Sequence, residues 1–423
     1  MQNFWQKFNS AIKDPILRKR IGFTIGALVV FRLLATIPIP GVDVANLSKL
    51  LSSSQFFGFL NIFSGGGLSN LSIMMLGVGP FITASIIIQL LTMMFPSWKA
   101  LMHDEGQAGR NKLSNYSRLL SAPLALVQAV GFIVLLENQN VLAHLSMTNL
   151  IINAIVVAAG SILLMWIGEL VSEFGIGNGV SLVIFAGIIS RLPKDTVQFV
   201  TTFDPSQITI YLAVLAIALI VIAGVVYVTE AERSVPVTYA KQVRGNKVYG
   251  GVSTYLPLRL NQAGVIPIIF ALSILLFPQL IANFLSHASN ATLAAYASSF
   301  VTFFNSPWVY GGFYFILVVL FTYFYTAVTF DPTMISQNLQ QSGAFIPGVR
   351  PGDHTRDYLA SIVTRITLVG AVFLGIVAVL PLALQNWSGV QTLAIGGTSL
   401  LIVVSVVLDL LKKIDAQVAM REY

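Results

Sequence analysis

The chain has 423 residues and a net charge of +7; 56% of the residues are hydrophobic, only 10% are charged, and the mean hydropathy is +0.80. This composition excludes a soluble globular protein and predicts a chain that crosses a membrane several times. The sequence holds no cysteine and four scattered histidines, which excludes disulfides and predicts neither a metal centre nor a cofactor.

Apolar segments close to the roughly 20 residues that cross about 30 Å of hydrocarbon recur along the whole chain. They predict an all-α polytopic membrane protein with ten transmembrane helices in two halves of five, residues 21–192 and 208–411. The predicted spans are 21–40, 72–95, 117–137, 148–170, 177–192, 208–229, 262–285, 308–329, 360–381 and 391–411. The other predicted parts are a cytoplasmic N-terminal segment (1–20), an external linker (193–207), large cytoplasmic loops (230–260 and 331–358) and a cytoplasmic tail (412–423).

The first apolar segment follows the basic triplet Arg18, Lys19 and Arg20, as the core of a secretory signal peptide does. It is longer than such a core, however, and no clear small-residue cleavage site follows it. We therefore interpret it as a permanent membrane anchor.

Basic residues indicate the side of the membrane on which each loop lies, because Lys and Arg are retained in the cytoplasm. With both termini inside, 20 of the 24 basic residues fall on one face. Lys49, Arg191 and Lys194 fall outside, and Arg32 falls within the first span, where we expect it to extend toward the membrane surface. The pattern predicts cytoplasmic termini and an even number of spans.

The second span of each half is interrupted by glycine and proline. Two halves of five spans have opposite orientations, and in such inverted repeats interrupted segments at corresponding positions mark the working site. The interrupting residues are Gly65, Gly66, Gly67, Gly77, Gly79 and Pro80 in the first half and Gly264, Pro267 and Pro278 in the second. Since irregular backbone at membrane depth is buried in protein or faces water, we predict that the bundle encloses a cavity.

The predicted spans are nearly free of the ionisable residues that an ion-coupled carrier needs for its substrate and driving ion. The exceptions lie near span ends, where interfacial roles are expected: Arg32, Glu169, Glu173 and Asp409. Two i, i+4 pairs, Val78 with Ile82 and Val180 with Ile184, each lie on one helix face. They fit either ordinary helix packing or a hydrophobic constriction that holds back ions and water.

Motifs for enzyme chemistry are missing from the sequence. No GxxxxGK[ST] motif occurs, and GIGNG at 175–179 lies between two predicted spans instead of after a strand, which disfavours a nucleotide site. We therefore predict that the chain is no enzyme. The alternatives are a secondary transporter for a small solute, which needs a polar binding site in the spans, and a lipid-modifying enzyme, which needs clustered catalytic residues.

Ten ordered stretches together make the chain resemble the SecY family, the protein-conducting channel of the bacterial Sec translocon, over essentially its whole length. They are GALVVFR (26–32), IPIPG (37–41), NIFSGGGLSNLSI (61–73), ASIIIQLLT (84–92), GIGNGVSLVIFAGI (175–188), YAKQVRGNKVYGG (239–251), LPLRLNQAGVIPIIFA (256–271), SGAFIPGVRPG (342–352), TRITLVGA (364–371) and GGTSLLIVV (396–404). The resemblance implies a central channel subunit in the cytoplasmic membrane, which passes unfolded preproteins across it and releases membrane helices laterally into lipid.

The resemblance further implies that a re-entrant plug helix, at about 55–66, closes the channel from outside. The implied plug residues are Phe56, Phe57, Phe59, Leu60, Ile62, Phe63, Gly65, Gly66 and Gly67. Apolar side chains suit a seal that must exclude water and still leave the channel at a low free-energy cost. Glycines suit the hinge of such a segment. The alternative is a structural segment that never moves.

Two further sites are implied by the resemblance. The implied pore ring consists of the aliphatic residues Val78, Ile82, Val180, Ile184, Ile269 and Ile402. The implied lateral gate lies between the second spans of the two halves, which carry Gln89 and Asn261. These two side chains either hydrogen-bond while the gate is shut or make ordinary helix contacts.

The cytoplasmic loops are the implied docking site for the SecA motor or the ribosome. The implied contact residues are Arg350, Lys241, Arg244, Lys247 and Arg259, and Arg350 matches the family's critical loop arginine. The other implied partners are the small subunits SecE and SecG, preproteins, signal sequences and membrane lipid. Ser234, Asn111 and Gln242 stand where relatives often carry a basic residue, which puts the details of partner binding in doubt.

Overall fold

A computed structural model describes most of the chain. The described residues are 14–39, 61, 64–95, 97–98, 101, 106–138, 142, 145–201, 205, 208–240, 242–244, 247–249, 253–286, 291–304, 306–388 and 392–419. They form thirteen α-helices, a 3-10 turn at Leu68–Asn70 and five short strands. The helices are α1 (Pro15–Leu34), α2 (Gly79–Met94), α3 (Gly106–Asn138), α4 (Met147–Phe174), α5 (Gly179–Ile189), α6 (Leu192–Thr201), α7 (Ile208–Glu230), α8 (Ile266–Leu285), α9 (Ala291–Phe304), α10 (Pro307–Thr329), α11 (Pro332–Gln341), α12 (Asp353–Ser388) and α13 (Thr392–Ala419).

Each of the ten predicted spans contains one of these helices, and the all-α class is confirmed. Among the described residues, α3, α4, α7, α10 and α12 are long and apolar enough to cross a membrane by themselves. The helices α2 and α5 are apolar but shorter. The ten-span count therefore stays a prediction.

Local chemistry explains where several helices begin. Asp14 caps α1, because its carboxylate accepts a hydrogen bond from the Ile16 N–H at 2.9 Å and Pro15 occupies the first helical position. Asn178 caps α5 in the same way, through the Ser181 N–H at 3.2 Å. In the predicted span 72–95 the helix begins only at Gly79, since Gly77 has a φ of 60° that a helix does not allow.

Small strands form in the predicted loop 230–260, which we did not expect to be regular. Strands β1 (Glu232–Tyr239) and β4 (Ser253–Arg259) pair in antiparallel fashion, and β5 (Ala344–Phe345) joins the other edge of β1. The intervening strands β2 (Gln242–Arg244) and β3 (Lys247–Tyr249) form a separate hairpin. Val235, Val237 and Leu258 turn inward onto α12, so the sheet has its own small core.

Regular structure also extends beyond two other predicted boundaries. The predicted external linker contains α6, and α13 continues into the predicted tail as far as Ala419. These helix ends are polar or amphipathic, and hydropathy alone therefore underestimates the length of the helices.

One end of the bundle carries the basic residues, and we call it the basic end. Leu17 at the start of α1, Ile176 between α4 and α5, and Ile414 of α13 pack together there. Ion pairs join Arg118 to Glu169 and Lys412 to Glu230 at the same end. Its described basic residues include Arg18, Lys19, Arg20, Arg110, Lys112, Arg118, Arg233, Arg259, Arg350, Arg356, Lys412 and Lys413.

Candidate functional site

The six residues of the expected pore ring lie on four elements, two in each half of the chain. Val78 immediately precedes α2, and its carbonyl accepts a hydrogen bond from the Ile82 N–H at 3.0 Å, which puts both side chains on one turn. Five of the six are buried, and Val180 is partly buried. All belong to or pack against one continuous apolar cluster: Val78, Ile82, Val180, Ile184, Ile269 and Ile402.

The helices that carry these residues contact one another where the two halves meet. Helix α8 contacts α2 and α3, and α13 contacts α5, so the halves touch along two seams. The α4–α5 hairpin is closely packed, because a Cβ at Gly168 would lie 3.3 Å from the Val180 Cγ2. The position of Val180 is therefore fixed by its own hairpin, while the ring depends on contacts across the seams.

The glycine-rich turn before α2 is buried, and its backbone is fixed by hydrogen bonds. The Gly66 N–H donates to the Asn61 carbonyl at 2.8 Å, and the Leu68 N–H donates to the Ser64 hydroxyl at 3.0 Å. Gly65 and Gly66 have φ values of 61° and 84°, in the left-handed region that glycine adopts without strain. The turn packs as a fixed structure here, and its glycines supply backbone conformation and close contact.

Arg32 of α1 contacts this turn. Its Nη1 donates a hydrogen bond of 2.7 Å to the Gly65 carbonyl. The aromatic ring of Phe31 leaves no room for a side chain at Gly65. The end of α1 and the glycine turn therefore form one packed unit.

The irregular stretch between this turn and α2 is held by α4. The Ser161 hydroxyl donates to the Gly77 carbonyl at 2.7 Å, and a Cβ at Gly160 would overlap the Ile73 carbonyl. Irregular backbone at this depth is thus buried in protein, as the physics of a membrane interior requires.

Most of the expected plug lies outside the described residues. This applies to Phe56, Phe57, Phe59, Leu60, Ile62 and Phe63. The three glycines that follow them, Gly65, Gly66 and Gly67, are described and are buried.

The two expected gate residues do not hydrogen-bond to each other in this structure. Gln89 Nε2 donates to the Ser85 hydroxyl at 3.3 Å within α2, and Asn261 Nδ2 donates to the Gly264 carbonyl at 3.2 Å in the turn before α8. The Gln89 Oε1 and the Asn261 Oδ1 are buried, and neither has a partner within the described part of the chain. Each side chain therefore donates a hydrogen bond within its own segment and leaves its acceptor oxygen unused.

A cavity of about 420 Å³ opens beside Gln89, between helices of the two halves. Its lining is mixed, with hydroxyls and amides next to aliphatic groups. The lining residues are Phe81, Ser85, Ile88, Gln89, Thr92, Arg110, Leu113, Ser114, Ser117, Tyr325, Val328 and Thr329. Helix α10 therefore takes part in this boundary together with α2 and α3, which the sequence did not indicate.

The expected docking residues lie on the sheet and on the turn that follows β5. Arg350 is exposed in that turn, between Gly348 and Gly352, whose φ values are 83° and 93°. Its own carbonyl accepts a hydrogen bond from the Thr355 hydroxyl at 2.9 Å. The backbone is thus anchored while the guanidinium faces solvent.

The other docking residues are less closely grouped. Arg259 is exposed at the end of β4, Arg244 and Lys247 form the last pair of the β2–β3 hairpin, and Lys241 lies outside the described residues. Next to Arg350, the carboxylates of Asp357 and Asp353 raise the pKa of Arg356 by hydrogen bonding and by charge. That second arginine is therefore already paired, with Asp357 at 2.9 Å.

The described residues contain no group of His, Asp or Glu side chains that could hold a metal ion. Sequence reasoning missed Arg32 and Ser161, which bind backbone carbonyls of the irregular segment. The signal available was that Arg32 is the one basic residue that the charge count assigns to neither side of the membrane.

Comparison with known proteins gives a consistent family assignment. The family model described as SecY matches residues 72–411. A curated relative from Mycobacterium tuberculosis, the protein translocase subunit SecY, is 42% identical over 436 aligned residues, which cover 98% of each chain.

Solved structures agree with the fold. One, described as a protein conducting channel, matches with a TM-score of 0.65 and 21% identity and covers 96% of this chain and 94% of its own. Another is a SecY protein whose plug domain is said to stabilise the closed state and maintain a membrane seal; it matches with a TM-score of 0.62 and 20% identity and covers 96% and 93% of the two chains.

Proposed function

Because the chain belongs to the SecY family and is a protein-conducting channel of a multi-pass membrane type, we propose that extended polypeptide passes through its six-residue aliphatic ring. The observation that supports this proposal is that helices of both halves place six aliphatic residues in or against one apolar cluster: Val78, Ile82, Val180, Ile184, Ile269 and Ile402. Aliphatic side chains offer no directional bonds, so they accept any sequence and reject none.

The same ring explains how the idle channel stays tight. Five of its six side chains are buried, and aliphatic groups offer a hydrated ion nothing that replaces its water. The segment at 55–66 adds a plug on the outer side in this proposal, as the SecY structure with a membrane-sealing plug suggests. The buried glycine turn at 64–67 supports it, because it ties the end of that segment to α1.

The seam between α2 and α8 is the proposed lateral gate. It joins the two halves, and the unused acceptors of Gln89 and Asn261 lie along it. An apolar signal sequence or membrane helix would leave through this seam, driven by burial of apolar surface worth about 25 cal/mol per Å².

Docking of the SecA motor or the ribosome is proposed for the basic end. Arg350 and Arg259 are exposed there, and positive charge attracts ribosomal RNA or an acidic motor surface. The chain itself is not an enzyme in this proposal, because its sequence has no GxxxxGK[ST] motif and the work must come from a partner. SecE and SecG are the proposed companion subunits, and the other partners are preproteins, signal sequences and membrane lipid.

The proposed location is the bacterial cytoplasmic membrane, with both termini inside. The clustering of basic residues at one end of the bundle supports this orientation.

Photocrosslinking tests the path of the polypeptide. Photoreactive side chains are placed at Ile82 and Ile402, one from each half, and a preprotein is stalled partway through export. We expect crosslinks at both positions, which disappear when the preprotein is released.

An exposed position on α10 supplies the control. Ile316 on α10 is 60% exposed on the outer surface of the bundle, and the same photoreactive group there is expected to give no preprotein crosslink. If a preprotein that engages the complex crosslinks at neither ring position, the proposed path is wrong, and the small-solute transporter becomes the better explanation of the cavity.

A further inference from the structure

The contact between Arg32 and the glycine turn joins a membrane helix to the backbone that follows the proposed plug. Arg32 Nη1 lies 2.7 Å from the Gly65 carbonyl oxygen, a short distance for a charge-assisted hydrogen bond. Among the described residues Arg32 is the only group bonded to that carbonyl, and Gly65 is buried. Loss of the guanidinium would therefore leave a buried acceptor without a partner.

Among the described residues, Arg32 has no competing partner of its own. No carboxylate of the described residues pairs with it, and its other contact is the adjacent Phe31 ring, 5.9 Å from its guanidinium carbon. A partly buried guanidinium without a counter-ion is costly unless polar groups solvate it. The Gly65 carbonyl supplies part of that solvation, so the arginine and the turn stabilise each other.

The fit on the other side of the turn is equally close. A Cβ at Gly187 of α5 would overlap the Cα of Gly65, and a Cβ at Gly66 would lie 3.4 Å from the Arg32 Nη1. Helix α5 also carries the ring residues Val180 and Ile184. The turn is therefore held between α1 and the helix that supplies two ring side chains.

We infer that Arg32 is a positioning residue for gating: it holds the glycine turn against Gly187 and so stabilises the closed channel. This inference rests on the proposed plug. Opening requires the turn to leave this site, which breaks the Arg32 bond and exposes both groups to water. The strength of this single bond then sets how readily the channel opens, and a signal sequence must supply enough binding free energy to overcome it.

Ion leak across vesicles containing the full chain in its assembled membrane complex tests the inference. We expect Arg32→Met to raise resting ion conductance about tenfold, since a charged hydrogen bond is lost from the closed state only. Arg32→Lys is expected to fall between Met and wild type, because an ammonium still donates but reaches less far. Export of a preprotein with a weakened signal sequence should rise in the same order, which a general loss of packing would not produce.

Arg191 provides the matched control. It lies next to Ser190 at the end of α5, which contacts the other side of the turn, and its buried Nη1 has no partner among the described residues. Arg191→Met removes the same charge without breaking the bond to Gly65, so its conductance should equal that of wild type. An equal rise in both variants would overturn the inference in favour of a charge effect.

Two further variants separate this inference from the plug proposal. Deletion of 57–65 should raise conductance if the segment is a plug at all. If the deletion leaks and a fully assembled Arg32→Met does not, the positioning role is wrong and the plug remains. If neither leaks, both proposals fail.

Gly187→Ala on α5 disturbs the position of Gly65 without changing Arg32. Its methyl group displaces the turn, so it should leak with Arg32 intact, and the double variant with Arg32→Met should leak no more than the leakier single variant. Additive effects would contradict a shared contact. Should Arg32→Met fail to assemble, Arg32→Lys decides, and a wild-type conductance in that variant overturns the inference.

Discussion

The position of a functional side chain in this protein depends on the hydrogen bonds that fix its backbone. Arg350 is an example, because its exposed guanidinium is carried by a turn with fixed geometry. The Ser336 hydroxyl donates to the Gly352 carbonyl at 2.6 Å, and the Thr355 hydroxyl donates to the carbonyl of Arg350 itself. A rigid backbone presents the charge at one place, which lowers the entropy lost when a partner binds.

Reversal of this charge is the prediction at the scale of the residue. Arg350→Glu should lower motor-driven export at least tenfold, because attraction to an acidic or phosphate-bearing surface becomes repulsion. The variant should still assemble, since no side chain of the described residues bonds to the guanidinium, which faces solvent. Export of a preprotein into membrane vesicles measures the effect.

Arg233 gives the matched control for this experiment. It is exposed on β1 of the neighbouring sheet but lies outside the turn. Arg233→Glu should keep export within about twofold of wild type, as is usual for an isolated surface charge. Equal losses in the two variants would show a general charge requirement and remove the special role of Arg350.

The elements of the fold divide into rigid pairs and seams. Within the second half, Lys412 of α13 is ion-paired with Glu230 of α7 at 2.9 Å. Across the α2 and α8 seam, by contrast, the described residues show no hydrogen bond between Gln89 and Asn261, and both keep a buried acceptor unused. Two helices with few hydrogen bonds between them separate at a lower free-energy cost than two helices joined by an ion pair. This property suits the proposed gate.

Covalent locking is the prediction at the scale of the element. The chain has no native cysteine, so cysteines at Gln89 and Asn261 can be joined by a bifunctional thiol reagent without background reaction. We expect export to stop after crosslinking and to continue in the untreated variant, because signal sequences no longer enter the seam.

A second cysteine pair tests whether locking as such stops export. Glu230 and Lys412 contact each other within one half, so crosslinking cysteines at these positions leaves the seam free. Export should then continue at nearly the wild-type rate. Undiminished export with the Gln89 and Asn261 pair crosslinked would contradict a gate at that seam.

At the scale of the whole molecule, charge and hydropathy divide the protein into three layers. The apolar cluster occupies the middle, the sheet and most basic residues occupy the basic end, and the glycine turn with Arg32 and Arg191 lies toward the opposite end. Such an asymmetric distribution of Lys and Arg sets the orientation of a polytopic protein during insertion.

Labelling of single cysteines tests that orientation. Asp357, near Arg350, and Thr196, on α6 at the opposite end, are both exposed. With a membrane-impermeant thiol reagent applied to intact cells stripped of their wall, we expect the cysteine at Thr196 to react at once. The cysteine at Asp357 should react only after the membrane is permeabilised, and the reverse result would invert the topology.

Much of the organisation follows from local sequence properties. Hydropathy and length located a helix in each of the ten predicted spans, because an apolar run must satisfy its backbone internally wherever it lies in lipid. Motif resemblance indicated the family and implied the six ring residues, whereas i, i+4 spacing alone singled out only the pairs Val78 with Ile82 and Val180 with Ile184. These inferences need no knowledge of which helices are neighbours.

The sequence by itself determined the helical class, the apolar segments, the charge asymmetry and the family. Tertiary structure alone decided that loop 230–260 pairs into a sheet with residues 344–345, that α10 lines the cavity beside Gln89, and that Arg32 turns inward to the Gly65 carbonyl. Each of these joins residues that are far apart in the chain or reverses the default position of a charge. Such contacts depend on the packing of several helices at once, and no local pattern of residues encodes that packing.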